Sequence, residues 1–449
     1  MAETTTVETG DHQPEYPQNL VKKPKRWGLL LILSILVLLV IAAGVLWAVK
    51  RPQTVNPQNT AVVTNTTNTN QTVVSVPTAN VPTAAKEKST AGFIIGTKDN
   101  STWTYYTQAL DGSKTKLFSF AVKDNFGASE ASLSPDGKTL VYTTNDDSLA
   151  SYNLTSNEER VILNSTPYDP NSKTVAELRS FQNPAFSPDG KHILVRLIGW
   201  EVAGSGIVNA DGTGYTTIGS NYSSVWSPDS LHIAHYSENN DFGGEPGGLF
   251  ISTVEQPQNP RQLLPKGDRS VNSHNEYKDV YSANYSPDGT KIAISYRYLS
   301  YTSGSDNNDQ NRVRNHRAVY AINSDGSNFH QVSSNQSFSD TPFWLSNNKI
   351  AYSLSNYYSH KDQGIYTIQD DGTANALLTT YGSDPQINRY EITAISPDRK
   401  LLLYRVGVTN TDGTSTEWRK MIVYSLEKNG LLFEASTTAT DSFGGWIMQ

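Results

Sequence analysis

The chain has 449 residues, with 36 Lys and Arg against 43 Asp and Glu and a formal net charge of -7. That balance leaves no basic excess for neutralising phosphates, so a nucleic-acid partner is excluded as a first reading. There is no cysteine, which removes disulfides, thiolate nucleophiles, Cys-ligated metals and lipid attachment through Cys.

Residues 1–26 hold almost nothing that could form a core and are expected to be a disordered cytoplasmic tail. Residues 27–49, WGLLLILSILVLLVIAAGVLWAV, run without a charge. At about 1.5 Å per residue such a run crosses a hydrocarbon layer of about 30 Å as one transmembrane helix. Trp27 and Trp47 sit near its ends, where amphipathic rings favour the interface. Lys22, Lys23, Lys25 and Arg26 precede it and only Lys50 and Arg51 follow, which places the N-terminus in the cytoplasm and the rest outside it. A cleaved signal peptide is the competing reading, but its apolar core is shorter than this one. Residues 50–90 are rich in Thr, Asn, Val, Pro and Gln and read as an extracytoplasmic stalk with too little apolar surface to fold.

From residue 91 to 449 one pattern returns: an apolar or aromatic residue, Ser-Pro-Asp-Gly or a variant of it, then a short alternating strand. Its leading Ser falls at 134, 187, 227, 286, 346 and 396. Between copies lies a second hairpin, clearest as IVNADGTGYTTI at 207–218, VYAINSDGSNFHQV at 319–332 and IYTIQDDGTANALL at 365–378. Each repeat thus offers four strands, and the spacing suits a propeller. Residues 91–120 look like three strands lacking their leading strand, and the C-terminal DSFGGWIMQ looks like one strand without successors. If Trp446–Gln449 complete the sheet begun at residue 91, the fold is an all-β, seven-bladed propeller of four-stranded blades with no open edge at its closure. Six blades with a loose N-terminal segment is the alternative.

The turn letters have a physical reading. Pro presets φ near -65°, Asp bonds to nearby backbone, and Gly accepts the left-handed position. Asp136, Asp189, Asp229, Asp288 and Asp398 therefore read as structural turn residues, because five equivalent positions spread over five blades do not make one active site. His192 and His232 share a repeat phase and read as strand residues.

These Ser-Pro-Asp-Gly-Lys-x-Ile repeats resemble the WD40-like (PD40) propeller repeat of the TolB family, seen also in the propellers of prolyl-oligopeptidase-type peptidases. The resemblance covers roughly residues 91–449 and implies architecture, since one such scaffold hosts binding modules, peptidase gates and lyases. TolB itself is a soluble periplasmic protein with an extra N-terminal α/β domain, where this chain has a transmembrane helix and a stalk.

The Ser-Pro-Asp-Gly and Asp-Gly turns are expected on one face, leaving the longer connections on the other. Long loops on a rigid scaffold are where recognition is expected. The longest, 297–317, carries Tyr298, Tyr301, Arg312, Arg314, His316 and Arg317, and neighbouring connections add Trp200, Tyr357, Tyr358 and Trp418. Aromatic and Arg side chains of this kind anchor protein interfaces; aromatic rings also stack on sugars. No nucleophile elbow, His-Glu-x-x-His pair or phosphate loop is present, and the SGSDNNDQN stretch at 303–311 lacks the ligand spacing of an EF-hand. No metal, cofactor or catalytic residue is assigned. The residues favour a membrane-anchored, extracytoplasmic binding or scaffolding module for a protein or cell-envelope glycan. An enzyme acting on glycans or peptides at the channel mouth is the alternative, and would show ionisable groups converging on one pocket.

Overall fold

The computed structural model describes residues 91–448 except 124–128, 166–179, 199–202, 221, 238–247, 265–275, 302–311, 335–337, 356–361, 383, 411–414 and 439; at several strand ends, among them 276–279, 297–301, 312–316 and 338–340, it describes the backbone alone. The apolar run 27–49 and the tail and stalk on either side of it lie outside the described residues. Among those described, no helix is long and apolar enough to cross a membrane.

Among the described residues, twenty-eight strands form seven antiparallel blades of four. The innermost strands are Ser442–Ile447 in blade 1, Ala131–Leu133 in blade 2, Phe181–Phe186 in blade 3 and Tyr222–Trp226 in blade 4. Glu276–Tyr285, Phe338–Ser346 and Arg389–Ile395 follow in blades 5, 6 and 7. Among the described residues, blades 5 and 6 are joined in one hydrogen-bonded sheet by a single parallel bridge, Arg317 to Phe338. Blade 5 is also the least complete outward, its fourth strand being only His330–Gln331.

The ring closes as the terminal segments suggest. Gly92–Asp99, Thr102–Ala109 and Lys114–Ala121 make the outer three strands of blade 1, and the C-terminal strand supplies the innermost one. That closing strand spans Ser442–Ile447, not Trp446–Gln449. Two glycines let it pack there. A Cβ at Gly444 would lie 2.8 Å from Ile94, and one at Gly445, where φ is +131°, would lie 2.6 Å from the Cβ of Leu133. Only a chain without side chains there packs flush between blades 1 and 2.

Why the second strand of each blade reads as nearly continuous apolar sequence is clear from the packing. Successive side chains point to opposite faces, and both faces of a blade are covered by its neighbours. In blade 2, Leu140 and Tyr142 pack with Ile94, Trp103 and Tyr105 of blade 1, whereas Val141 packs with Phe181, Ile193 and Val195 of blade 3. Blade 3 repeats the division, with Leu194 and Ile207 turned to Ile233 of blade 4. Each pair of adjacent blades holds one such cluster, so the core is a ring of seven wedges.

The connection expected as a loop over 297–317 is strand at both of its ends. Lys291–Tyr301 and Arg312–Asn323 pair through Tyr298 with His316 and Ser300 with Arg314, and Glu276–Tyr285 pairs alongside. The ladder of blade 5 thus extends past the length of those in the other blades; residues 302–311 lie outside the described residues.

Candidate functional site

All the turns joining first to second strands, and third to fourth, lie at one end of the channel. The Ser-Pro-Asp-Gly turn builds itself the same way in blades 2, 3, 5 and 7. The Ser hydroxyl donates to the Asp carboxylate at 2.6–2.7 Å, and the N–H two residues beyond Asp donates to the same oxygen at 3.1 Å. In blade 4, Ser230 at φ +62° takes the glycine position and Asp229 accepts from the N–H groups of Leu231 and His232. The Ser134 hydroxyl hydrogen bond holds Asp136 below the usual carboxylate range. Burial opposes the same shift at Asp189 and Asp288, but the Ser187 and Ser286 hydroxyls and local N–H groups prevail. Neighbouring turns are latched together: Asp189 N–H donates to Ser230 Oγ (2.9 Å), Asp288 N–H to Asn347 Oδ1 (3.2 Å), and Arg261 to the carbonyls of Ser324 and Asp325. These groups are committed to one another and to the backbone.

The other end is different. A cavity of about 550 Å³ occupies that half of the channel. Its position follows from strand direction: Glu130 just precedes the innermost strand of blade 2, Ser442 begins that of blade 1, and Arg196 sits late in a strand running away from the turns. Innermost strands supply Asn183, Ser223, Ser224 and Phe443, while Arg196, Ser205, Tyr236 and Arg405 reach in from the strands behind.

Several polar groups of this wall are held by hydrogen bonds to neighbouring strands. The Asn183 N–H donates to Glu130 Oε2 at 2.6 Å, and the Asn183 side-chain amide, with its nitrogen turned to Glu130, donates to the same carboxylate. Asn183 sits at φ +46°, where the pairing with the next strand shifts register between Gln182 and Ala185. Such a bulge re-aims a side chain. Burial pushes the Glu130 carboxyl up, against the Asn183 N–H and the Arg196 charge. Arg405 donates to Glu391 Oε1 at 2.6 Å and stacks over Trp418, 4.4 Å from the ring centre. Ser224 Oγ lies 2.8 Å from His235 Nδ1 and 2.9 Å from Ser205 Oγ, and His235 Nε2 lies 2.6 Å from Ser252 Oγ. Complete burial lowers the His235 pKa to about 3, so this imidazole is neutral. A neutral, weakly basic ring between two hydroxyls orients Ser224 and is a poor proton acceptor.

Of the residues the sequence singles out, Trp418 is brought to the cavity-lining Arg405. Arg317 stacks over Tyr281 of the innermost strand of blade 5 at 3.6 Å. Tyr298, Tyr301, Arg312, Arg314 and His316 lie on the paired strands of blade 5, placed by backbone register alone. Trp200, Tyr357 and Tyr358 lie outside the described residues. Sequence reasoning missed Glu130, Asn183, Arg196, Arg405 and Asp441, yet four of them carry a signal. Glu130 and Asn183 stand four residues before the leading Ser of their repeats, and Arg196 and Arg405 stand nine after it, where Tyr236 also falls. Charged residues inside an otherwise apolar strand, at one repeat phase, point into the channel. Among the described residues no group of three or more His, Asp and Glu side chains is placed to hold a metal ion.

No protein-family profile matches the chain, and no curated protein matches it. Among solved structures it is similar to puromycin hydrolase, at 12% identity and TM-score 0.51 over 78% of this chain and 52% of that one. It is similar also to oligogalacturonate lyase in complex with manganese (16%, 0.47, 73% and 86%) and to TolB from Acinetobacter baumannii (14%, 0.38, 79% and 66%). The chain thus spans about half the length of puromycin hydrolase. At such identities the likeness is one of fold, and the class it supports is the β-propeller.

Proposed function

We propose that this protein is a membrane-anchored, extracytoplasmic binding or scaffolding propeller that recognises a protein or a cell-envelope glycan through its long-connection face. The observation that carries the reading is the contrast between the two ends of the channel. At one end the turns are short and their polar groups are spent on one another; at the other a polar cavity is lined by strands whose charged and hydroxyl side chains face a common space. Anchoring by residues 27–49 and the stalk of 50–90 would hold the propeller clear of the bilayer.

The test is crosslinking in cells followed by affinity recovery of the full-length protein from native membranes, repeated with 302–311 replaced by a neutral turn. A protein or glycan recovered with the parent chain and lost with the shortened one supports the reading. Recovery of the same material from both chains, or of nothing specific from either, overturns recognition through this face.

A second reading, an extracytoplasmic glycan- or peptide-processing enzyme, draws on one observation. Glu130 and Asp441 line the same cavity, and burial raises the pKa of the Glu130 carboxyl. Turnover of an envelope polymer that is abolished by Glu130→Gln would establish it.

A further inference from the structure

We infer that the cavity in the long-connection half of the channel is a saccharide site, taking a short oligosaccharide end-on between the Glu130–Asn183–Arg196 wall and Arg405. The inference rests on the binding reading above and names a ligand class for the channel itself.

Three features carry it. The first is shape and rigidity. A volume of about 550 Å³ falls in the range of pockets that enclose compact ligands, roughly 300–1,000 Å³. Its walls are ladder-bonded strands, which hold side chains in place better than loops do. The second is the mixture of donors and acceptors. A carboxylate, an amide, guanidinium groups and the Ser223 and Ser224 hydroxyls face one space. A sugar hydroxyl donates and accepts at once, so neighbouring hydroxyls satisfy neighbouring groups of opposite kind. Tyr236 and Phe443 supply apolar surface for the C–H face of a ring.

The third feature is charge balance, which argues against the competitors. Glu130 and Asp441 stand against Arg196 and Arg405, and Arg405 is already paired with Glu391. A polyphosphate or nucleic acid would meet two carboxylates without a net cationic wall. An acyl chain would strip water from charged groups and return no hydrogen bond. The bracing already described is the preorganisation that a weakly apolar ligand needs, since little of its affinity comes from buried carbon.

The Glu130–Asn183 contact also ties blade 2 to blade 3, so a purely structural role has to be separated from ligand binding. The full-length protein in detergent would be titrated against an array of neutral and acidic oligosaccharides of two to four sugars. The strongest binder would then be used for amide hydrogen exchange. The expected result is at least one oligosaccharide with Kd below about 1 mM, slowing exchange at 131–133, 185–186 and 442–443. Glu130→Gln and Arg405→Lys should each weaken it about tenfold or more at a temperature at which calorimetry shows each variant fully folded. Ser223→Ala, a smaller change on the same wall, should weaken it several-fold and serves if Glu130→Gln fails to fold. Absence of any binder at about 1 mM, or binding that leaves those amides and these variants indifferent, overturns the inference. A partner captured through the long-connection face alongside an empty array would overturn the saccharide site and leave the binding reading intact.

Discussion

The two ends of this propeller are made by the same strands, yet they use polar residues in opposite ways. At the turn end, Ser134, Asp136 and their counterparts bond to the nearest backbone, and the resulting hairpins are copied from blade to blade. At the other end Glu130 and Asn183 are bonded across blades and Arg405 across strands, around an open volume that Arg196 also lines. Repetition marks the groups that a turn needs, whereas departure from repetition inside the channel marks groups that the blade itself does not need. A turn can be satisfied by neighbours in sequence; a charge on a strand facing the channel has to find its partner in tertiary structure or in a ligand.

The sharpest way to break this comparison is to open the ring on which both ends depend. Removing residues 442–449 strips blade 1 of its innermost strand and exposes the edge of Gly92–Asp99. The truncated chain is expected to melt about 15 °C or more below the parent, or to associate through that edge, as read by calorimetry and gel filtration. Gly445→Val, which must displace Leu133, should cost about 2–4 kcal/mol by the same measurement.

Next in size is His235, the neutral imidazole that braces the cavity wall. Its pKa is about 3 when folded and about 6.5 in an unfolded chain. Between those values the unfolded state binds the proton and the folded state does not, so stability declines as pH falls from about 6.5 to about 3. Urea unfolding at pH 7 and 4.5 should show a His-dependent loss of about 2–3 kcal/mol that is absent from His235→Gln. Equal pH dependence in both proteins would mean that the ring is not held neutral.

The turn end should respond weakly and additively. Asp136→Asn and Asp288→Asn sit in separate blades and should each cost about 1 kcal/mol, with the double variant close to the sum. Because these carboxyls are held below their ordinary pKa, their contribution is present above about pH 4 and is lost as pH falls through the lower folded values. Coupling between the two would show that the turns form a network, not independent copies. The smallest effect on stability should come from replacing 302–311 with a neutral turn. Unfolding should move by no more than about 2 °C, while recovery of the partner is lost.

The repeat, the turn chemistry and the unmatched strands at either end were legible because they depend on neighbours in the chain. Pro135 presets a turn wherever it is, and alternation in Leu140–Tyr142 states which side chains share a face. The sequence therefore determined that the domain is a propeller, that it closes by joining its ends, and that Ser-Pro-Asp-Gly belongs to the scaffold. It did not single out Glu130 or Arg405 among 79 charged residues, because facing the channel is a property of the assembled ring. The tertiary structure decided that Glu130 meets Asn183, 53 residues away, and that Arg405 stacks on Trp418. It also decided that both ends of the connection expected at 297–317 pair as ladder. The physical reason is range: hydrogen bonds within a turn and periodicity along a strand act over a few residues, whereas a cavity exists only once seven wedges have packed around one axis.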